Sequence, residues 1–306
     1  MNADMTRIAV LGPGGVGGFV AAALARAGED VTVVAREPAA EAIDRQGIDV
    51  SSALLGDFKA RPRATAVLAD PVEILIVATK SIGLDAALRR IEAVPDVVVP
   101  LLNGLDHMTL LRDRFGARRV AAGTIRIESD RPRLAAVLQS SPAVRVELAT
   151  DGTALADALH WLAATLRMAG IPAQVGDNES QILWSKLVRL NALACTTSAA
   201  DRPIGFIRSD PQWRRQLESC IAETAAVANA DGARIAGADL LAELDAAHAE
   251  LGSSMRRDVA AGRAPELDAI PGSVLRAADR HGLVCPTIER LTEQIAQRAG
   301  IAVPTR

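Results

Sequence analysis

The sequence predicts an α/β domain over residues 1–177 followed by an all-α domain over residues 178–306. Three observations carry this. Short apolar runs alternate with helical patterns as far as Val175. The first of those runs leads directly into a glycine-rich turn and an alanine-rich helix. Beyond Asn178 the apolar residues recur at the helical period and strand-like runs stop. Strand–helix alternation implies a parallel sheet, and the abrupt change of period implies a second domain with a cleft between the two.

The opening element is Ile8-Ala9-Val10-Leu11, a buried strand. Gly12, Pro13, Gly14, Gly15, Val16 and Gly17 follow, giving G-x-G-x-x-G, and a helix continues to Ala27. A second strand is Val31-Thr32-Val33-Val34. In this context Gly12 allows the tight turn, Gly14 lets the backbone approach a pyrophosphate, and Gly17 lets helix and strand pack closely. The helix N-terminus presents N–H groups and a positive dipole end to phosphates. The N-terminal domain is therefore expected to be of Rossmann type and to bind a dinucleotide. The second strand ends in Ala35-Arg36-Glu37. Arg36 suits a 2′-phosphate and favours NADP, while Glu37, an acceptor for a ribose diol, keeps NAD open, and Arg36 also fits a solvated loop position.

Residues 38–46 read as a short helix and Ile48–Lys59 as an irregular extended segment. Val72–Ala78 is a central parallel strand. Thr79-Lys80 lies at its carboxyl end, where open parallel sheets bind ligands. A helix over 81–92 and a strand at Val97–Val99 follow, ending in Pro100-Leu101-Leu102-Asn103-Gly104. Lys80 and Asn103 taken singly equally fit exposed loop or capping roles. Ala121–Ile127 and Val137–Leu148 read as antiparallel strands extending the sheet. A helix over 153–169 ends at Gly170, a strand occupies Ala173–Val175, and Asn178 or Ser180 caps what comes next. Helices are expected over 179–200, 211–230, 238–249, 266–281 and 286–298.

Composition narrows the function. A chain of 306 residues, 49% hydrophobic and 23% charged, has ample core for two globular domains. A net charge of −3 with three Trp, four Phe and no Tyr is a poor nucleic-acid surface. No apolar run approaches the ~18 residues of a membrane span. The segment MNADMTR reaches the first strand almost at once and leaves no room for a signal peptide, so a cytoplasmic protein is expected. Cys195, Cys220 and Cys285 are widely spaced, without CxxC, and read as reduced core thiols rather than disulfides or metal ligands.

In the helical half, Trp184-Ser185-Lys186-Leu187 sets a lysine in an apolar helix. Either Lys186 faces a cleft, or its stem packs on the core while the ammonium snorkels to water. Gly252-Ser253-Ser254-Met255 precedes a helical stretch, where Ser254 alone could be a cap. Glu266, in Ala264-Pro265-Glu266-Leu267-Asp268, could be a first-turn carboxylate on a helix dipole.

Taken together and in order, these pieces resemble the ketopantoate reductase (2-dehydropantoate 2-reductase) family over essentially the whole chain. The likeness rests on Gly12–Gly17, Arg36, Thr79-Lys80, Leu102-Asn103-Gly104, Trp184-x-Lys186-Leu187, Ser253-Ser254-Met255 with Asp258, and Glu266-x-Asp268. It implies NADPH bound between a Rossmann domain and a helical domain, and reduction of a 2-oxo acid in pantothenate biosynthesis. By the same resemblance Lys186 is the catalytic general acid, with Glu266 holding that lysine or the cofactor ribose. Asn103 would stand between nicotinamide and substrate, Lys80 would contact the cofactor, and Ser254 would donate to the substrate carboxylate.

The family usually carries asparagines four and eight residues after its lysine, and here these positions are Leu190 and Ala194. Asn191 is one residue off and points about 140° from Lys186 on a helix. A further family asparagine is Ile204, and a glutamine is Gly83. Fewer amide donors relax the demand for hydroxyl and carboxylate groups on the substrate. The expected activity is thus NADPH-dependent 2-oxo acid reduction with 2-dehydropantoate as default substrate. The alternatives are a more apolar oxo acid or an imine, or a non-catalytic NADP-binding protein. The helical half would carry any homodimer contact.

Overall fold

The computed structural model describes residues 6–305; the residues before Thr6, on which the leader expectation partly rests, lie outside it. Chain contacts divide the protein into two units. One runs to Leu102 and resumes over His107–Ile182, and the other comprises Asn103–Asp106 and the chain from Leu183 onward. The sequence placed the boundary at 177/178. The structural division falls a few residues later, and it assigns the short turn after Leu102 to the second unit.

The first unit begins β1 (Arg7–Leu11), α1 (Gly15–Arg26), β2 (Asp30–Val34) and α2 (Glu37–Gln46). It continues through β3 (Ile48–Ser52), β4 (Phe58–Ala60), β5 (Arg63–Thr65), β6 (Ile74–Val77), α3 (Leu84–Leu88), β7 (Val97–Pro100) and α4 (His107–Phe115). It closes with β8 (Ala122–Arg126), β9 (Ser129–Asp130), β10 (Ala136–Gln139), β11 (Arg145–Ala149), α5 (Ala156–Met168) and β12 (Ala173–Val175). The main sheet has the order β5-β2-β1-β6-β7, parallel throughout. Every residue of β6 and β7 is buried, as expected for strands covered on both faces. Strand order reverses at β1, so the carboxyl ends of β1, β2 and β6 form the crevice where such sheets take ligands.

Three local expectations are corrected here. Residues 48–60 form regular strands, β3 and β4, in a separate sheet of order β4-β3-β10-β9. The expected helix over 81–92 shrinks to a 3₁₀ turn at Ser81–Gly83 and the five-residue α3. The segments 121–127 and 137–148 do not extend the main sheet. The first supplies β8, and the second begins within β10 and ends within β11; β8 pairs antiparallel with β11 in a three-stranded sheet. A single parallel bridge, Val98 to Val120, touches the main sheet. Helix α4 is an element absent from the sequence reading, although Met108, Leu111 and Phe115 recur at helical spacing.

The second unit is helical: most of α6 (Glu179–Ala200), α7 (Ile204–Ser209), α8 (Pro211–Ala230), α9 (Gly237–Ala246), α10 (Ser254–Ala260), α11 (Ser273–Arg280) and α12 (Pro286–Ala299). Asn178 is the cap anticipated for α6, its Oδ1 accepting from the Gln181 N–H at 2.8 Å. Asp210 caps α8 in the same manner. The core is built on Trp184, Leu187, Val188, Ile204, Leu217, Ile270, Val274 and Ile288, with the three cysteines buried among them and not in disulfides. Among the described residues no helix is long and apolar enough to cross a membrane.

Candidate active site

In the first unit the glycine-rich stretch turns sharply off β1. Gly12 has φ +93°, a conformation side chains resist, and its N–H donates to the Val34 carbonyl at 3.0 Å. The turn is thereby tied to the end of β2. A Cβ at Gly17 would overlap the Gly12 carbonyl oxygen, so α1 can lie this close to β1 only with glycine there. At Gly14, which precedes α1 with extended backbone, a Cβ would meet nothing within 4 Å. That open space lies beside the first turn of α1, which carries no acidic residue and whose leading N–H groups have no acceptor in the helix. Pro13 and Gly15–Val16 complete the turn.

Two buried hydroxyls near this turn have no protein partner among the described residues, Thr79 Oγ1 and Ser129 Oγ. The Thr79 side chain lies against Gly12 and the Ser129 backbone against Gly15. Buried hydroxyls are normally satisfied. Open space, an acid-free helix start and two orphaned hydroxyls together fit a bound pyrophosphate.

Arg36 is exposed at the start of α2, its carbonyl accepting from Ala39 and Ala40. Glu37, one residue on, is gripped at both oxygens by Arg90, Nη1 to Oε1 at 3.0 Å and Nη2 to Oε2 at 3.2 Å. Arg90, and secondarily the Glu37 backbone and the Arg36 charge, hold this carboxyl below its usual range. Lys80 is exposed just beyond the carboxyl end of β6.

In the second unit, α6 buries Trp184, Leu187, Val188 and Asn191 on one face. Trp184 belongs to the core rather than to a cleft, its indole N–H donating to Asp231 at 2.9 Å. Lys186 is half-buried on the other face with Leu183 and Leu190, three and four residues away. Asn191 points into the core, donating to Thr224 Oγ1 at 2.9 Å and accepting from Cys195 Sγ at 3.3 Å. Its amide is spent on packing. Ala194 and Ile204 are also fully buried in that core, which leaves Leu190 as the half-buried departure beside Lys186.

The structure joins Asn103 and Glu266. Asn103 Nδ2 donates to Glu266 Oε2 at 2.9 Å. Two features position this bond. Gly104 has φ +84°, and a Cβ there would collide with the Ala269 carbonyl oxygen. The turn thus lies directly on the segment after Glu266. That segment is not the regular helix expected over 266–281. Pro271 lacks an N–H, and the Gly272 N–H donates to the Leu267 carbonyl at 3.1 Å, an i→i−5 bond. The result is a π-helical stretch over Asp268–Gly272 preceding α11.

Arg276 ties these parts together. It donates to Asp106 Oδ2 at 2.7 Å, to Asp268 Oδ1 at 2.9 Å and to the Asp268 carbonyl at 2.9 Å. Burial works against its charge, but Asp106 and then Asp268 outweigh that and raise its pKa. Ser253, not Ser254, is the cap of α10: its Oγ accepts from the Arg256 N–H at 3.0 Å and lies 3.0 Å from Thr197 Oγ1. Ser254 is the half-buried first residue of that helix. Asp258 is buried and pairs with Arg263 at 2.8 Å.

Sequence reading missed Arg276, Arg90 and the π-turn. Only the last carried a signal, since a proline inside a helical pattern marks a break. The two arginines act through partners distant in sequence and leave no local trace.

A parallel sheet with a glycine cradle at its switch point, on one chain with a helical unit bearing a lysine and a joined amide and carboxylate, defines the class: a dinucleotide-binding oxidoreductase with a helical C-terminal domain. Comparison with known proteins makes this specific. The ketopantoate reductase PanE/ApbA profile matches residues 8–149, and the profile of that family's C-terminal domain matches residues 178–299. The chain belongs to the ketopantoate reductase family. It is 30% identical over 290 residues to 2-dehydropantoate 2-reductase of Caulobacter vibrioides, covering 92% of this chain and 95% of that one. The crystal structure of 2-dehydropantoate 2-reductase from Geobacter metallireducens matches with TM-score 0.86 at 28% identity, covering 95% of this chain and 99% of that one. A D-mandelate dehydrogenase solved with NADH and anilino(oxo)acetate shares the fold, with TM-score 0.86 at 19% identity over 96% of this chain and 98% of that one.

Proposed function

We propose that the protein reduces a 2-oxo acid to a 2-hydroxy acid with NADPH, 2-dehydropantoate being the default substrate. The observation that carries this reading is the Asn103–Glu266 bond, held by a π-turn and Arg276 in the unit that also bears Lys186. A protein that only sensed a dinucleotide would need the glycine cradle but neither a proton donor nor an oriented amide. Bound NADPH supplies the hydride. The chain's own part is to bind, orient and protonate. Gly12–Gly17 and the start of α1 receive the pyrophosphate, with Lys80 nearby on the same unit as a second positive charge. Arg36 meets the 2′-phosphate as a planar multidentate donor.

Lys186 donates a proton to the carbonyl oxygen as negative charge develops there. Asn103 offers an amide whose orientation Glu266 fixes, and Ser254 offers a hydroxyl to the substrate carboxylate. Family membership and the names of close relatives support the reaction type. Leu190, half-buried where the family has an amide, favours a second reading, a more apolar 2-oxo acid.

The test is NADPH oxidation with 2-dehydropantoate by the wild type and by Lys186→Ala, with NADPH binding measured separately. Loss of a general acid should cost about 10²–10⁴-fold in kcat with cofactor binding retained. An unchanged rate in the variant sinks the proposal. Slow wild-type turnover that becomes fast with a more apolar 2-oxo acid selects the second reading.

A further inference from the structure

The end of β2 carries opposite charges on adjacent residues, and each suits a different dinucleotide. Arg36 fits a 2′-phosphate. Glu37 is the type of residue that accepts the hydroxyls of an unphosphorylated ribose and repels a phosphate. Left alone, the pair would give a cradle of divided preference. The structure resolves the division with a third residue, Arg90, which follows α3 in sequence. Both of its terminal nitrogens engage the Glu37 carboxylate in a parallel fork, and Nη1 also donates to the Ala66 carbonyl at 3.0 Å. Ala66 follows β5, the neighbour of β2 in the sheet, and the Ala35 N–H donates to the Thr65 carbonyl at 3.0 Å. The guanidinium is therefore anchored to the same sheet edge that presents Arg36. Only 22% of its side-chain surface is exposed, against 62% for Glu37, so Arg90 is the fixed member of the pair.

We propose that Arg90 is a determinant of dinucleotide choice, acting by holding and neutralising Glu37. This rests on the reading of Arg36 as the 2′-phosphate site. With both oxygens taken by a fork, Glu37 no longer serves as an acceptor for a ribose diol. With its charge compensated, it no longer opposes a phosphate. Arg36 is left as the net positive charge facing the 2′ position. The acidic residue that would mark an NAD enzyme is present in the sequence and disarmed in the fold.

The experiment measures dissociation constants for NADPH and NADH by nicotinamide fluorescence or calorimetry, without substrate. The proteins are the wild type, Arg90→Met, Glu37→Gln and the double variant. An uncompensated carboxylate within several ångströms of a phosphate dianion should weaken NADPH binding by about fivefold or more in Arg90→Met. NADH binding should hold or tighten, which also reports an intact cradle. The effect should shrink as salt rises. In the double variant the charge to be neutralised is gone, so NADPH affinity should return to that of Glu37→Gln. Equal weakening of both dinucleotides in Arg90→Met, or no recovery in the double variant, overturns the proposal and leaves Arg90 a structural tie to Ala66. A wild type that prefers NADH overturns the Arg36 reading and the proposal with it. A wild type that prefers NADPH, with all variants alike, overturns the proposal alone.

Discussion

Asn103 and Glu266 are 163 residues apart in sequence and share a hydrogen bond of 2.9 Å. The Asn103 amide turns its nitrogen toward Glu266 and its oxygen away. Neither residue could hold that position alone. Asn103 stands before a glycine in the left-handed region, and Glu266 precedes a π-turn that contains Pro271. A site that must present one amide face to a small substrate gains from such double fixing, since misplacement by about 1 Å can cost about 10²-fold in rate.

Gly104→Ala should break this arrangement from the turn side. The added methyl meets the Ala269 carbonyl oxygen in a backbone conformation that disfavours it, and neither backbone can give without moving Asn103 or the π-turn. Two named mechanisms act together, steric overlap and backbone strain, so a stability loss of at least about 2 kcal/mol is expected. Thermal or urea unfolding measures it. A melting temperature equal to wild type would mean the turn has another conformation available.

Arg276→Met should separate positioning from folding. The variant loses the contacts to Asp106 and Asp268 that hold the Asn103 turn beside the π-turn, while the methionine stem preserves much of the packing. A drop of about 10–100-fold in kcat is expected, with KM for the oxo acid changed less. Arg276→Lys, which keeps the charge but not the fork, should recover part of it. A purely structural role would instead lower the melting temperature and leave kcat per folded molecule unchanged.

How much of this was legible in the sequence follows from the range of the forces involved. The β1–α1–β2 unit was readable because its cause is local: an apolar run, three spaced glycines and an alanine-rich helix sit within about 30 residues. The helical half was readable from its period. The small β4-β3-β10-β9 sheet was not: Ile48-Asp49-Val50-Ser51 does alternate, but its strands are short and β10, the parallel partner of β3, comes from a distant part of the chain. Glu266 could be singled out, but its bond to Asn103 could not. Arg276 and Arg90 look like ordinary solvated arginines until the chain folds. Asn191 shows the opposite case, a polar residue near the expected spacing whose amide the core consumes.

The start of α6 gives a prediction with a definite sign in pH. Glu179 is buried and meets Arg112 from α4, while its backbone N–H donates to Asp151 at 3.1 Å. Burial pushes its carboxyl above the ordinary value of 4.5; Arg112 pulls it back, and the Asp151 charge pushes the same way as burial. The folded protein therefore binds this proton more tightly than the unfolded chain does. Between 4.5 and the raised value the native state carries more of the proton, so the stability contributed by Glu179 falls as pH rises and then levels off. Glu179→Gln keeps an acceptor for Arg112 and removes the titration. The difference in melting temperature, wild type minus variant, should be largest below pH 4.5, decline as pH rises through the raised pKa, and become flat above it. The comparison cancels the carboxylates whose pKa values are lowered, Glu37, Asp49, Glu73 and Asp201, because both proteins carry them. Those groups act in the opposite direction and at lower pH. A difference that grows with pH would show that Arg112 outweighs burial and that this pair stabilises the ionised state.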